Sequence, residues 1–313
     1  MTAISLGEGP EFDRIRAIAE RLGSRAGVLG NDCALLDLGD TFLALSTDVS
    51  VEGVHFRREW LSLEEIGWRA TAAALSDLAA AGAAAVGVLA ALTVPAGEPA
   101  ASFSALMEGA GSAVASVGGV VLGGDLSRGP LLSLAMTVVG RTAAPAHRKG
   151  ARPGDGLWVT GALGGARAAL LAWQNGRQPA AGARARFAHP EPRLDQGAWL
   201  VAQGARAMLD VSDGLASDLG HLAAASGVSV QIDLNLVPAD PAALEEARRL
   251  GESPGTFAAR GGEDYELLVA MPPEFSGTGG FALTRIGQVA PGSGARFLLD
   301  GAELMLSGFD HFA

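Results

Sequence analysis

Apolar segments of this chain repeatedly run into carboxylates, and this pattern constrains it more than any other. The run Phe42-Leu43-Ala44-Leu45 gives way to Ser46, Thr47 and Asp48. Asp32, Asp77, Asp125, Asp210 and Asp213 each close an apolar segment beside Gly or Ser. A strand that leaves a core in this way presents oxygen atoms at its end. A carboxylate beside two hydroxyls is hard-oxygen chemistry, suited to Mg²⁺ and phosphate, and the plain alternative is a strand followed by a polar turn. Carboxylates about 4 Å apart repel by roughly 4 kcal/mol per pair at an effective dielectric near 20. If these acids converge, cations between them make the convergence tolerable.

The chain of 313 residues, 49% of them hydrophobic, is long and apolar enough for one large or two mid-sized domains with a real core. A net charge of −11 argues against nucleic-acid and anionic-membrane partners. Lys149 is the only lysine and no Walker-type phosphate loop exists. Cys33 is the only cysteine, which excludes an intrachain disulfide and a cysteine-only metal site and suits a reducing compartment. The Ala- and Gly-rich run Ala79 to Val94 is too short for a membrane span. The N-terminus has no basic segment followed by an apolar one. The expectation is a soluble cytoplasmic protein.

In order, the pattern predicts a helix over Pro10–Leu22, then a hairpin with strands at Ala34–Leu36 and Phe42–Leu45 around Gly39-Asp40. Ser62-Leu63-Glu64-Glu65 reads as a capping box opening a helix whose apolar stripe (Ile66, Ala70, Ala73) continues into Asp77 and which stops at Gly82. A strand over Val86–Val94 and a helix over Phe103–Val117 follow. Val120–Leu122 reads as a short buried strand running into Gly123-Gly124-Asp125, where glycines let backbone approach a ligand. A strand over Leu131–Val139 leads to a boundary near Thr142–Pro153, separating expected domains 1–143 and 144–313. The second half predicts strands near Leu157–Thr160, Ala207–Asp210, Val228–Leu234, Leu267–Val269, Leu283–Val289 and Phe297–Leu299. Its helices fall near Ala166–Trp173, Gln196–Ala205, Gly214–Ala225 and Pro241–Leu250.

Many acids at element ends, few histidines, no nucleophile elbow and no zinc spacing suit Mg²⁺-held phosphates better than acyl transfer. In its ordered fragments the chain resembles the thiamine-monophosphate kinase family, of the aminoimidazole-ribonucleotide-synthetase-like superfamily. The fragments are Gly30-Asn31-Asp32-Cys33-Ala34, Ser46-Thr47-Asp48, Glu52-Gly53-Val54-His55-Phe56, Leu75-Ser76-Asp77-Leu78, Gly123-Gly124-Asp125, Gly150 to Asp155, Asp210 to Leu215, Gly261 to Leu267 and Gly308 to Phe312.

The resemblance implies a two-domain fold, α+β or α/β, of mixed sheets flanked by helices, working as a homodimer with N-terminal sheets paired. It implies Mg²⁺ at Asp32, Ser46, Thr47, Asp48, Asp77, Asp125, Asp210 and Asp213, with Asp48, Asp77, Asp125 and Asp213 carrying the catalysis. It implies ATP at Gly124, Asp125, Arg148 and Ser212, and thiamine monophosphate at His55, Glu263 and Phe309. The implied reaction is ATP-dependent phosphorylation of thiamine monophosphate to thiamine diphosphate. Asn31 replaces a usual Asp, Leu126-Ser127 a usual Thr pair, and Ala81 a common Met. The alternatives are another ATP-dependent enzyme of the superfamily and a non-catalytic nucleotide- or cation-binding regulatory protein. A reactive N-terminal cysteine, expected of a selenophosphate synthetase, is not where Cys33 falls.

Overall fold

The computed structural model describes residues 7, 9–27, 29–277 and 279–308. Its first sheet contains β1 (Ala34–Asp37), β2 (Phe42–Val51), β3 (Ala84–Val94), β4 (Val120–Arg128) and β5 (Ser133–Thr142), ordered β1-β2-β5-β3-β4. All neighbours are antiparallel except β3 and β4, which are parallel. Helix α1 (Pro10–Leu22) precedes it, and α2 (Leu63–Ala80) and α3 (Ala100–Ser116) are inserted between its strands.

Helix α2 is the axis of the molecule. Its capping box forms as the sequence predicts, with Ser62 and Glu65 satisfying each other's backbone N–H groups. Alanines let it pack on every side, and Ile66, Leu75 and Leu78 are fully buried, each contributing about 1.5–3 kcal/mol. Against α3 the two backbones meet through glycines. A Cβ on Gly67 would lie 1.9 Å from the Leu106 carbonyl oxygen, and one on Gly109 would lie 1.8 Å from that of Glu64. The opposite side of α2 meets α5 (Ala181–Ala188), α6 (Leu194–Ala202) and β7 (Ala207–Asp210) of the second half. One apolar core therefore runs from Ala44 and Met136 through α2 to Phe187 and Leu267.

The second sheet adds β6 (Gly156–Thr160), β8 (Ser229–Asp233), β9 (Leu267–Met271), β10 (Leu283–Ala290), β11 (Gly294–Leu299) and β12 (Ala302–Leu304) to β7. Its order is β12-β11-β8-β10-β6-β9-β7, with β11 and β8 the parallel pair. Around it lie α4 (Gly165–Gln174), α7 (Leu215–Ser226), α8 (Pro241–Leu250) and α9 (Pro254–Ala259). This is the expected class: mixed sheets flanked by helices.

Two strand readings need correction. Strand β2 does not stop at Leu45 but continues to Val51, because β5 pairs with it along its whole length. Strand β4 is not short and buried. It spans nine residues, every one exposed, because only β3 pairs with it and its other edge is open. Helices α5 and α9 and strand β12 lack a strong periodic signal and were not anticipated.

Candidate active site

Strand alternation decides which oxygens of β2 point inward. Ala44 and Ser50 are buried while Thr47 and Val49 are exposed, so Ser46 and Asp48 share the face turned to α2. There Ser46 Oγ donates to Asp77 Oδ2 at 2.5 Å. Asp210, at the end of β7, and Asp32, just before β1, arrive from opposite halves. Asp32, Asp77 and Asp210 each place a carboxylate oxygen within 4.8 Å of the others. At that distance each charged pair repels by roughly 3–4 kcal/mol at an effective dielectric of 20. Burial first, and then Asp210 and Asp32, push the Asp77 carboxyl well above the usual range. Burial and Asp32 push Asp210 up to about 7. Burial also raises Asp48.

A single cation answers this group. Arg148 Nη2 donates to Asp32 Oδ1 at 2.6 Å, and the Arg148 backbone N–H donates to Asn31 Oδ1 at 2.8 Å. The amide oxygen of Asn31 makes a contact that needs only an acceptor. Three carboxylates and a hydroxyl converging on one point with one guanidinium nearby is a donor set that fits Mg²⁺. Cys33 is buried, its Sγ donates to the Asp77 carbonyl oxygen at 3.2 Å, and burial pushes its thiol up, away from the thiolate form that a nucleophile needs.

Asp77 and Asp210 face a cleft of about 400 Å³. Thr47, Asp48, His55, Ser212, Asp213 and Glu263 line it as well. Its other end is apolar and aromatic, with Val54, Trp60, Leu170, Leu171 and Phe187, and Arg167 and Arg260 border it. His55 is oriented by accepting the Val51 backbone N–H on Nδ1 at 3.1 Å, which leaves the proton of the neutral ring on Nε2.

The turn carrying Glu263 is held by backbone. Glu263 N donates to Ser212 O at 2.7 Å, and Tyr265 N to Val211 O at 2.9 Å. Glu263 and Tyr265 both take left-handed φ, at 65° and 52°, a conformation costing about 1 kcal/mol or more per residue. Gly262 is required here, since a Cβ would lie 2.7 Å from Ser212 O. Arg69, nearly fully buried on α2, forms an ion pair with Glu263, donates to Phe187 O at 2.6 Å and lies over the Phe187 ring. The turn is thus fixed at the cleft wall by the same helix that supplies Asp77.

Most of the expected residues meet here, but two do not. Gly124 and Asp125 lie on exposed β4, where Asp125 accepts from Ser127 Oγ at 3.0 Å. In register, Gly124 pairs with Ala90, Ala90 with Met136, and Met136 with Asp48. That puts β4 three strand spacings, about 14 Å, from β2. Asp125 also falls within β4 and not at the end of a strand. Phe309 lies outside the described residues. Trp60, Phe187, Arg167, Arg260 and Tyr265 line the cleft and Arg69 anchors its wall, and the sequence reading singles out none of them as site residues. Of these only Arg69, an arginine within an Ala-rich apolar run, carries a signal that sequence reading could have used.

Both halves of the chain match known proteins. Residues 30–142 match the family model for the AIR synthase related protein, N-terminal domain, and residues 152–299 that for the C-terminal domain. The thiamine-monophosphate kinase of Mycobacterium tuberculosis (strain CDC 1551 / Oshkosh) is 38% identical over 277 residues, 88% of this chain and 82% of that one. The thiamine-monophosphate kinase of Escherichia coli (strain K12) is 37% identical over 322 residues, 96% of each chain. A solved structure described as AaThiL complexed with AMPPCP and TMP superposes with a TM-score of 0.89 at 31% identity, covering 96% of this chain and 97% of that one. On these matches the chain belongs to the AIR synthase related family and, within it, to the thiamine-monophosphate kinases.

Proposed function

We propose that this chain transfers the γ-phosphoryl group of ATP to the phosphate of thiamine monophosphate. An oxygen of the acceptor phosphate forms the new P–O bond, the bond between the β- and γ-phosphates breaks, and ADP and thiamine diphosphate leave. The observation that carries this reading is one cleft with an acidic end and an aromatic end, in a chain of this family. The flat, cationic base of thiamine suits Trp60, Phe187 and Val54, with the Glu263 carboxylate to pair its charge and His55 beside it. Phe309 is proposed as a third substrate contact.

The acceptor is already anionic, so no strong general base is needed. The difficulty is bringing two anions together. Arg148 and the bordering Arg167 and Arg260 relieve part of it. Mg²⁺, when held by Asp32, Ser46, Thr47, Asp48, Asp77, Asp125, Asp210 and Asp213, supplies the remaining charge neutralisation of the phosphates. Asp48, Asp77, Asp125 and Asp213 are assigned the catalytic positions, and Gly124, Asp125, Arg148 and Ser212 the nucleotide. With purified protein, thiamine monophosphate is expected to drive ADP release in step with thiamine diphosphate, and free thiamine is not. Equal ADP release with thiamine would overturn the acceptor assignment.

The working unit is proposed to be a homodimer joined through the first sheet, with residues 1–143 carrying the dimer face and 144–313 forming the C-terminal α/β domain. Val120, Val121, Leu122 and Leu126 leave an apolar, unpaired edge on β4, and Val49 and Leu89 expose apolar surface on the sheet. Within one chain β4, which carries Asp125, lies three strands from β2 and Thr47, so the role assigned to Asp125 requires that of a second copy. Sedimentation equilibrium should give twice the chain mass, and a mass of 31.6 kDa would contradict the dimer. One cysteine and no acceptor disulfide suit the cytoplasm as its location. Among the described residues no helix is long and apolar enough to cross a membrane.

A further inference from the structure

Asp213 also belongs to a second group of ligand-type side chains. Asp213 follows β7, and Asp218 and His221 sit one turn apart on α7, so the latter two share a helix face. One ligand atom from each of the three lies within 4.8 Å of the others. Two bonds of about 2.1 Å span about 4.2 Å across an ion, so a small closure completes the group. Asp218 is the unexplained member. It is 2% exposed, and its Oδ2 is buried with no hydrogen-bond partner among the described residues. A buried carboxylate oxygen without a donor is costly and is ordinarily answered by a hydrogen bond or a cation.

The surroundings favour a cation. The Phe12 ring packs on His221 at a centroid distance of 4.1 Å and fixes the imidazole plane. Asp213 and His221 also line a second cleft, of about 530 Å³, which Asp77 does not line.

We infer that Asp213, Asp218 and His221 form a divalent transition-metal site, which shares Asp213 with the acids assigned to Mg²⁺ but draws its other two ligands from α7 and not from Asp32, Asp77 or Asp210. An imidazole with two carboxylates takes Mn²⁺ or Zn²⁺ in preference to Mg²⁺, which seeks all-oxygen shells. The site holds whether or not the chain phosphorylates thiamine monophosphate.

The test uses the full chain, stripped with EDTA and titrated with Mn²⁺ in excess Mg²⁺, which occupies oxygen-only sites. The expected result is one Mn²⁺ retained per chain, with nitrogen modulation from one imidazole in the electron spin-echo spectrum. His221→Gln should abolish that modulation and weaken Mn²⁺ binding more than tenfold, while His55→Gln keeps both. Asp218→Asn, which removes a buried charge without changing shape, should raise the melting temperature in EDTA and lose the gain that Mn²⁺ gives the wild type. Complete displacement of Mn²⁺ by Mg²⁺, a nitrogen signal that survives in folded His221→Gln, or wild-type Mn²⁺ affinity in Asp218→Asn would each overturn the site.

Discussion

Two buried acid groups, one on either side of the Asp210–Leu267 pairing, are treated in opposite ways by this fold. Glu266 is fully buried, yet it accepts from Arg193 Nε at 2.9 Å and Nη2 at 2.8 Å, from Arg186 Nη2 at 3.0 Å and from Thr160 Oγ1 at 2.6 Å. Burial raises its carboxyl, but Arg193, Arg186 and Thr160 outweigh burial and hold it below the usual range. Asp210 is also buried and Asp77 half-buried at the cleft, but their acidic neighbours add to the desolvation and hold both above it. The protein completes the charge balance of Glu266 with its own side chains. It leaves the other group incomplete, as a site for cations must be before cations arrive.

The comparison breaks most sharply under paired mutation. Glu266→Ala strands two arginines in the interior and should cost about 3–5 kcal/mol, lowering the melting temperature on the order of 10 °C. Asp77→Asn should do the reverse. It removes repulsion, so the metal-free protein melts no lower than wild type, while turnover falls on the order of 100-fold or more. Comparable loss of stability in both variants, read by thermal melts in EDTA, would mean that the two groups are the same kind of structural network.

A smaller effect sharpens the contrast through pH. Asp210 has a raised folded-state value near 7 against an ordinary 3.8. Its contribution to stability is therefore fully present below about pH 4 and is lost as pH rises through about 7. Glu266, held low, contributes in the opposite sense: its stabilisation is present above its ordinary value and fades as pH falls through its folded value. Metal-free protein should thus lose on the order of 5 °C in melting temperature between about pH 5 and pH 8. Saturating Mg²⁺ should flatten that slope, since the cations take the place of the protons. A metal-free melting temperature that stays level or rises over that range would contradict the raised carboxyls.

Much of this contrast was legible before the structure. The capping box at Ser62 fixed the start of α2, and the 3.6-residue period then carried Asp77 onto a buried face. Local signals of that kind survive folding because they are satisfied within a few residues. The Arg69–Glu263 pair joins residues far apart in sequence, so the arginine in its Ala-rich run carries a local signal but nothing local points to its partner. The exposure of β4 was misread because Val120-Val121-Leu122 is equally apolar whether a strand is central or at an open edge. Asp48 was placed at a strand end because Ser-Thr-Asp reads as a turn, whereas pairing with β5 extends the strand through it. His221 and Asp218 were passed over because Leu215, Leu219 and Leu222 dominate the pattern of α7.

The claim that the Asp32, Asp77 and Asp210 group is built for cations that hold nucleotide phosphates is tested most directly by thermal melts of the wild-type chain. They are run in EDTA, in NaCl, in Mg²⁺ at matched ionic strength, and in Mg²⁺ with a non-hydrolysable ATP analogue. Inner-sphere binding should stabilise beyond screening. A nucleotide that binds only the folded form adds about 2.7 kcal/mol at a hundredfold excess over Kd. The expected order is EDTA and NaCl together, then Mg²⁺, then Mg²⁺ with nucleotide several degrees higher. Mg²⁺ performing no better than matched NaCl, with nothing added by the nucleotide, would contradict the claim.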